Sequence, residues 1–419
     1  MRSSRAALST VLAPLILFAR PCRADDPFHL ARPGRDETPF TLDSFQDDNV
    51  SQIEKAADAG NPAAQYRIGS MYLLGKAVEQ NDALALSWLT KSADRGYALA
   101  QNRLGTMYRG AFGVTRDAAK AKRWFSKAAD QGLAEAQRNL AGCYAEEAHP
   151  DYSAARRWYE KAAAHGDAES VYQLGLLALE GRGGRPNRAE AEVRFSSAAA
   201  AGHAEAQFAL SSMLDENGDH GTALDWLKKS AGLGHVRAEA RLAGIYEEGR
   251  GTPKDSVEAW NWWRQAADGG DARAQLRAGQ AYEGGLFGVE ADAKSARVWY
   301  GRAAMQGEPR AAYALGRMIQ SGEGAPPDPA AARGWIEKAA AKGLPEAQNA
   351  LGLLYENGEG GLEADPVKAC AWLSLAAEQG FAVDRPALDD LKSRLNGREI
   401  GELVEEMRRD RAPGPAAAP

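Results

Sequence analysis

The residues most able to do chemistry in this sequence are two histidines at matched positions. His203 and His235 each follow a glycine that recurs at a regular spacing along the chain. Packed helices lie on the order of 10 Å apart, whereas the ligands of one zinc ion must lie about 2 Å from it. Neither His-Glu-x-x-His nor Cys-x-x-Cys occurs in the sequence. We therefore predict no metal site, and we expect both histidines to lie on the surface.

Other signals for catalysis or cofactor binding are weak. The sequence has no Ser-x-x-Lys, Ser-Asp-Asn or Lys-Thr-Gly, the motifs that place a nucleophilic serine beside its base. Glycine clusters such as GRGG at 181–184 and GEGG at 358–361 follow predicted helices, whereas a phosphate-binding loop lies between a strand and a helix. We therefore predict no catalytic residue and no cofactor, and we expect the glycine clusters to be loops that end helices.

A glycine that recurs every 32 to 37 residues marks nine repeating units. A tryptophan stands eight positions before the closing glycine in eight units, and Arg194 takes its place in the fourth. Such an array grows by adding units, so the length of 419 residues does not imply several separate cores. The marker glycines are Gly60, Gly96, Gly132, Gly166, Gly202, Gly234, Gly270, Gly307, Gly343 and Gly380.

The residues around each marker glycine follow the period of an α-helix. Alanines eleven and three positions before it share one helical face with the tryptophan, and an Asp or Asn fifteen positions before it can cap that helix. Small and apolar residues four, eight and twelve positions after the glycine form the face of another helix. Each unit is therefore a helix pair, in which we expect tryptophan to fill space between helices and glycine to end the second helix. Stacked pairs predict an all-α solenoid.

The two ends of the chain differ from the repeats. Residues 1–24 combine basic residues, an apolar run and small residues before a cleavage point near Ala24, which predicts a signal peptide and a periplasmic or secreted protein. Lipidation at Cys22 and an uncleaved anchor are the alternatives. We expect a linker at 25–43, the solenoid at 44–380 with a half unit at its start, capping helices at 381–410 and a disordered tail at 411–419.

The net charge argues against some classes of partner, and the cysteine positions argue against a disulfide. Removing residues 1–24 takes away four arginines and no acid, which leaves 47 basic against 57 acidic residues, a formal charge of −10. An acidic protein is a poor ligand for nucleic acid, and no transmembrane segment remains after cleavage. Cys143 and Cys370 lie six repeats apart, too far for the roughly 4.4–6.8 Å between α-carbons that a disulfide needs.

Motifs such as AQNRLGTMY at 100–108 and AKRWFSKAADQG at 121–132 resemble the Sel1-like repeats, relatives of the tetratricopeptide repeats. The resemblance covers roughly residues 45–380. It implies a right-handed superhelix of helix pairs that acts as an interaction scaffold, in exported bacterial proteins often as an adaptor in envelope assembly, signalling or host contact. Some cysteine-rich relatives are described as weak β-lactam-binding or hydrolysing proteins, but their cysteine pairs are absent here.

By analogy with tetratricopeptide arrays, the first helix of each pair lines a concave face that would contact a partner. Aromatic anchors and an acidic rim on that face could bind an extended or helical segment whose basic side chains meet the acids. The alternative is that the same residues simply end helices and complete the packing between units. The candidate contacts are Tyr172, Phe208, Tyr313, Asp215, Glu216, Glu247, Glu248 and Glu283.

These observations together predict an exported, non-enzymatic adaptor that binds protein partners. A glycan or cell-wall binding module is the second hypothesis, since exposed aromatic side chains along a groove could stack on sugars. A weak β-lactam-acting enzyme is the third. One tryptophan of the sixth unit, Trp260 or Trp263, could add a contact on the outer face.

Overall fold

The computed structural model describes residues 50–383 and 385–411, which form 21 α-helices and no strand. The chain divides into two compact units, one up to Ala198 and the other from Ala199. The helices of the first unit are α1 (Val50–Asp58), α2 (Pro62–Leu74), α3 (Asp82–Asp94), α4 (Ala98–Gly110), α5 (Ala118–Asp130), α6 (Ala134–Ala145), α7 (Tyr152–Ala164), α8 (Ala168–Glu180) and α9 (Arg188–Ala200), which ends two residues inside the second unit.

The second unit contains the remaining twelve helices. They are α10 (Ala204–Glu216), α11 (His220–Gly232), α12 (Val236–Glu248), α13 (Ser256–Asp268), α14 (Ala272–Gly284), α15 (Ala293–Met305), α16 (Pro309–Ser321), α17 (Pro329–Ala341), α18 (Pro345–Asn357), α19 (Pro366–Glu378), α20 (Arg385–Arg394) and α21 (Gly397–Arg411). None of the described helices is long and apolar enough to cross a membrane.

Each repeat is a pair of helices that follow one another in the chain. An even-numbered helix from α2 to α18, here called a first helix, packs against the odd-numbered second helix that follows it. Within each unit, every second helix also packs against the first helix of the next repeat. This alternation buries both faces of every pair and produces an all-α solenoid.

Polar caps and glycines set the ends of the second helices. The side chain of Asp117, for example, accepts a hydrogen bond from the backbone N–H of Lys120 at 2.9 Å, and all nine second helices begin at the predicted Asp or Asn. Each marker glycine has φ between 80° and 95°, a left-handed conformation that ends the helix.

The residue that follows the tryptophan position is buried in every second helix, whereas the residue at the tryptophan position is only half-buried. Phe125, which follows Trp124, is fully buried, whereas Trp124 is half-buried and carries the Lys127 ammonium 4.2 Å from its ring centroid. Similar cation–π pairs cover Trp88, Trp158, Trp226, Trp299 and Trp335. The expectation that tryptophan fills space between helices agrees with these contacts, since Trp124 packs against the cluster of Leu89 and Leu104 from the preceding helices while its other face carries a cation.

A glycine of the first helix makes room for that buried neighbour. A β-carbon added at Gly105 would lie 2.5 Å from the ring of Phe125, and one added at Gly279 would lie 2.4 Å from the ring of Tyr300. The small residue lets the first and second helices of a pair approach closely enough to bury the aromatic ring.

In most repeats a glutamine five positions after the marker glycine hydrogen-bonds the first helix to the preceding helix. Six of the nine repeats have this glutamine, and in each its side-chain amide donates to a backbone carbonyl eight residues earlier, as Gln101 does to Ala93 at 3.0 Å. In three repeats the carbonyl oxygen of this glutamine also accepts from a glutamine of the next second helix, as Gln101 does from Gln131 at 2.7 Å. In one repeat the same position is Glu239, which is 5 % exposed.

His203 and His235 are helix caps and do not lie freely on the surface as expected. The Nδ1 atom of His203 accepts from the backbone N–H of Ala206, and that of His235 accepts from Ala238, both at 3.1 Å. Nδ1 can accept only in the neutral ring, so both caps require unprotonated histidine. Burial lowers the pKa of His235 and so favours the neutral form.

The last two helices cover the end of the second unit. Leu388 of α20 and Ile400 and Val404 of α21 are buried in one cluster with Leu373 and Leu375 of α19. These contacts take the place that a further repeat would occupy on α19.

Candidate partner-binding surface

The first helices of the second unit carry one stripe of residues whose exposure varies, from the exposed residue three positions after the marker glycine to the buried Ser212, Gly244 and Leu276. Positions 3, 6, 7, 10 and 13 after each marker glycine follow the 3.6-residue period, so they share this stripe. Positions 4, 5, 8 and 9 face inward, as the buried Ala238, Glu239, Leu242 and Ala243 of α12 show. We call the stripe of α10, α12, α14, α16 and α18 the first-helix face of the second unit.

The predicted aromatic contacts are more deeply packed than isolated anchors would be. Tyr172, in the first unit, is 6 % exposed and its ring centroid lies 5.6 Å from that of Phe195. Phe208, in the second unit, is half-buried between the ring of His235 at 4.8 Å and the guanidinium of Arg237 at 5.0 Å. Tyr313 is half-buried against a core cluster, and burial raises its pKa. Phe208 and Tyr313 therefore offer part of a ring at the surface, and Tyr172 offers very little.

The carboxylate of Asp215 on α10 contacts two side chains of its own unit, those of Arg241 and His220. Arg241 of α12 approaches its carboxylate at 2.7 Å, and His220 lies at the same distance from its other oxygen. Burial alone would raise the pKa of Asp215, but the hydrogen bond from His220 and the charge and hydrogen bond of Arg241 outweigh it and hold that pKa below its ordinary value.

The same arrangement recurs one and two repeats later. Glu247 of α12 is ion-paired with Arg277 of α14 and accepts a hydrogen bond from the indole of Trp263 at 3.0 Å. Glu283 of α14 pairs with Arg317 of α16 at 2.7 Å and accepts from the hydroxyl of Tyr300. Four successive first helices, α10, α12, α14 and α16, are thus linked by three acid–arginine pairs, which compensate the cost of placing carboxylates at helix C-termini.

The remaining predicted acids lie at the exposed helix ends. Glu248 pairs with Arg250 of the following loop at 2.6 Å, and Glu216 is exposed at the end of α10. The structure thus places five predicted acids near the ends of α10, α12 and α14, and Asp215, Glu247, Glu248 and Glu283 are each ion-paired. Their role as partner contacts stays a prediction.

Trp260 and Trp263 differ in exposure. Trp263 is 1 % exposed, so its ring belongs to the core. Trp260 is half-buried in an aromatic cluster, with the ring of Tyr282 at 5.6 Å and that of Phe287 stacked on it at 6.3 Å. Phe287 has φ 59°, a conformation that costs energy for a residue with a β-carbon.

Sequence reasoning missed a row of exposed arginines on the first-helix face. Arg237, Arg273 and Arg310 each lie three positions after a marker glycine, on α12, α14 and α16. All three are exposed, and within the described part of the chain none of them is in an ion pair. The signal was present as the same residue type at one register in three successive repeats.

No group of three or more His, Cys, Asp or Glu side chains that could hold a metal ion occurs among residues 50–383 and 385–411. Cys143 and Cys370 are free thiols in the first and second units, and burial raises the pKa of Cys143 to about 11.

Comparison with known proteins agrees with this repeat geometry. A family model described as the Sel1 repeat matches nine consecutive segments: residues 62–97, 98–133, 134–167, 168–203, 204–235, 236–271, 272–308, 309–344 and 345–381. The chain belongs to the Sel1 repeat family. Each segment begins at or next to the start of a first helix and ends just after the marker glycine.

Several solved structures are similar to this Sel1 repeat protein. The crystal structure of c5321, a protective antigen present in uropathogenic Escherichia coli strains, is 30 % identical over 87 % of this chain and 80 % of its own, with a TM-score of 0.61. A Sel1 repeat protein from Oxalobacter formigenes is 27 % identical over 85 % of this chain and 90 % of its own, with a TM-score of 0.37. The immunity protein PA5088 from Pseudomonas aeruginosa is 18 % identical over 50 % of this chain and 80 % of its own, with a TM-score of 0.38. Among curated proteins, no significant match was found.

Sel1 repeats generally mediate protein–protein interactions, and their fold is typical of non-catalytic scaffolds.

Proposed function

We propose that this Sel1 repeat protein is an exported, non-enzymatic adaptor that binds a protein partner on the first-helix face of its second unit. The observation that carries the proposal is that the two sides of a first helix differ in their contacts. One side packs against second helices, whereas the other presents exposed arginines in the same register on α12, α14 and α16, with half-buried aromatic rings at Phe208 of α10 and Tyr313 of α16. A surface repeated in this way suits a chain segment that spans several repeats.

Export is the second part of the proposal, and it rests on residues 1–24, which lie outside the described residues. A basic start, an apolar run and a small-residue cleavage point support it. The similar antigen c5321 is described as protective in uropathogenic strains, and an exposed location for this chain would suit such a relative. Envelope assembly, signalling and host contact are the settings in which we place the adaptor.

The glycan hypothesis has less support in the geometry. Six of the repeat tryptophans carry a lysine or arginine over one face of the ring, so that face is covered and does not offer a platform for a sugar. A weak β-lactam-acting enzyme has no observation in its favour. The protein-binding adaptor is therefore the function we carry forward.

The test is a crosslinking pull-down with variants that obstruct one face without changing charge. Ala240→Trp with Ala314→Trp places two bulky rings on the first-helix face, and Asn261→Trp with Val298→Trp places the same rings on second helices of the sixth and seventh repeats. Circular dichroism first checks that both variants keep the helical content of the unchanged chain.

We expect the unchanged chain and the second-helix variant to recover the same protein partner, and we expect the first-helix variant to lose it. Loss with the second-helix variant alone would move the binding surface to the other side of the array. Recovery by all three chains would mean that no partner uses either face of these repeats.

A further inference from the structure

On α12, α14 and α16 the charge of the first-helix face that remains outside ion pairs is positive, although the chain as a whole is acidic. Three acids near the ends of first helices are engaged with arginines of the next first helix: Asp215 with Arg241, Glu247 with Arg277, and Glu283 with Arg317. Such a pair has little net charge to offer a partner, and separating it would cost both members their hydrogen bonds.

Arg237, Arg273 and Arg310 are outside these pairs. Arg237 lies with its guanidinium 5.0 Å from the ring of Phe208, and Arg273 lies 5.8 Å from the ring of Trp263. Stacking on an aromatic ring orients a guanidinium without neutralising its charge, which leaves its donors available for a carboxylate. Together with the exposed Arg310, these two arginines form a row of three positive charges at one register.

The row has definite ends. The residue at the same register is Glu205 on α10, before the row, and Glu346 on α18, after it. Glu205 lies 3.6 Å from His203, and Glu346 is in the first turn of its helix. A partner segment that runs along this register would meet three arginines, with an acid beyond each end of the row. An acidic segment would therefore bind favourably only across repeats six to eight.

One half-buried aromatic ring, that of Tyr313, lies on α16, the helix that also carries Arg310. Tyr313 of α16 is half-buried against the cluster that contains Leu276 of α14, and both residues stand six positions after their marker glycines. A partner side chain between two acidic residues would therefore contact the ring of Tyr313.

We propose that the first-helix face of α12, α14 and α16 binds an extended acidic segment of a partner protein, with its carboxylates on Arg237, Arg273 and Arg310. This inference rests on the proposed adaptor function and reverses the charge that the sequence predicted for the partner. Helices packed side by side lie on the order of 10 Å apart, which an extended chain spans in about three residues. The partner segment then has Asp or Glu at every third position.

The first experiment measures binding of dye-labelled peptides to the full-length chain by fluorescence anisotropy at low salt. One peptide has four Glu residues, each separated from the next by Gly-Ser, the second has the same composition with its Glu residues contiguous, and the third has Lys in place of Glu. We expect saturable binding of the first peptide, at least threefold weaker binding of the second and none of the third. Binding should weaken with added salt, because the arginines are exposed.

A matched pair of triple variants assigns the binding to the row. Arg237→Gln, Arg273→Gln and Arg310→Gln together remove three charges from the first-helix face, whereas Lys228→Gln, Arg264→Gln and Lys342→Gln remove three exposed charges from second helices or their ends. We expect about a tenfold loss of affinity in the first triple and less than twofold in the second. Equal loss in both would show only a general effect of net charge and would overturn the proposal.

Other polyanions decide which class of molecule uses the row. Single-stranded DNA or polygalacturonate that binds more tightly than the peptide, with the same loss in the arginine triple, would overturn a protein occupant. Failure of the inference and of the proposed function can be told apart by the pull-down. If the tryptophan-obstructed chain loses the partner and the arginine triple keeps it, the adaptor function stands and the acidic segment does not.

Discussion

Glu239 occupies a position where six other repeats have glutamine, and replacing it tests the role of that position. The glutamines donate to a backbone carbonyl at 2.9–3.3 Å, and the corresponding acceptor for residue 239 is the carbonyl of Ala231. A carboxylate cannot donate, and no hydrogen bond of the Glu239 carboxyl is present within the described residues. Burial raises the pKa of Glu239, as expected for an acid without a charged partner.

The magnitude follows from the two defects that Glu239→Gln removes. A gained hydrogen bond contributes about 0.5–1.5 kcal/mol, and ending the burial of an unsatisfied acid contributes about 1–3 kcal/mol. Allowing for partial relaxation of the unchanged chain, we expect the variant to be about 1–3 kcal/mol more stable at pH 7. A change of 1 kcal/mol corresponds to roughly 2–4 °C in the melting temperature of a unit of this size.

The stabilising effect of Glu239→Gln should depend on pH. Because the pKa of Glu239 is raised in the folded chain, the folded state binds the proton more tightly than the unfolded state does. The unchanged chain therefore loses the contribution of protonated Glu239 as pH rises above the ordinary glutamic acid value of about 4.3. The advantage of Glu239→Gln should be small at pH 4 and should grow to its full value by pH 8.

The assay is urea unfolding of both chains from pH 4 to pH 8, with hydrogen exchange of α12 as a local readout because repeat arrays need not unfold in one step. Gln207→Glu is the mirror variant, since Gln207 donates to Ala199 at 3.1 Å in the same unit. It should lose about 1–3 kcal/mol at pH 7. If Glu239→Gln is neutral or destabilising at pH 8, the glutamine position does not stabilise the array in the way described.

Three further substitutions test the packing and the caps. Gly105→Ala should destabilise the first unit by about 1–3 kcal/mol in urea unfolding, because its β-carbon would lie 2.5 Å from the Phe125 ring. Gly142→Ala is the control: its β-carbon would have no neighbour nearer than 3.6 Å, so it should stabilise the unit by about 0.5–1 kcal/mol. Equal effects of the two substitutions would contradict the close approach of the helices. Ala111→Gly should raise the melting temperature by relieving φ 56°, a gain of up to about 1 kcal/mol, and a lower melting temperature would refute the strain. Because the pKa of His235 is lowered in the folded chain, the unchanged chain should lose stability as pH falls below about 6.5. His235→Asn keeps a capping oxygen, so melting curves at several pH values should show that this part of the loss is gone. A pH profile that is the same in both chains would contradict the neutral-histidine cap.

Local features of this fold could be predicted well from the sequence. The spacing of glycines, alanines and capping residues was sufficient for the helix pairs and their start points, since each signal acts within one helix. The buried residue was harder to choose, because Trp124 and Phe125 are adjacent and only the position of Gly105 on the facing helix decides which ring enters. The histidine caps were missed because histidine is an unusual residue at an N-cap, where Ser, Thr, Asp and Asn dominate.

The candidate site required distances between repeats that the sequence does not contain. The acids at the ends of α10, α12 and α14 were identified correctly by position, but their pairing with Arg241, Arg277 and Arg317 depends on which side chains of successive first helices meet. That pairing changes the charge available to a partner from negative to positive.

Site-specific photocrosslinking tests the central claim, which is that a protein partner contacts the first-helix face. A photoreactive side chain at Ala314 lies on that face of α16, and one at Val298, which is 54 % exposed, lies on the second helix α15. We predict that irradiation gives a discrete crosslinked protein from position 314 and none from position 298. A crosslink from position 298 alone would contradict the assignment of the first helices as the binding surface.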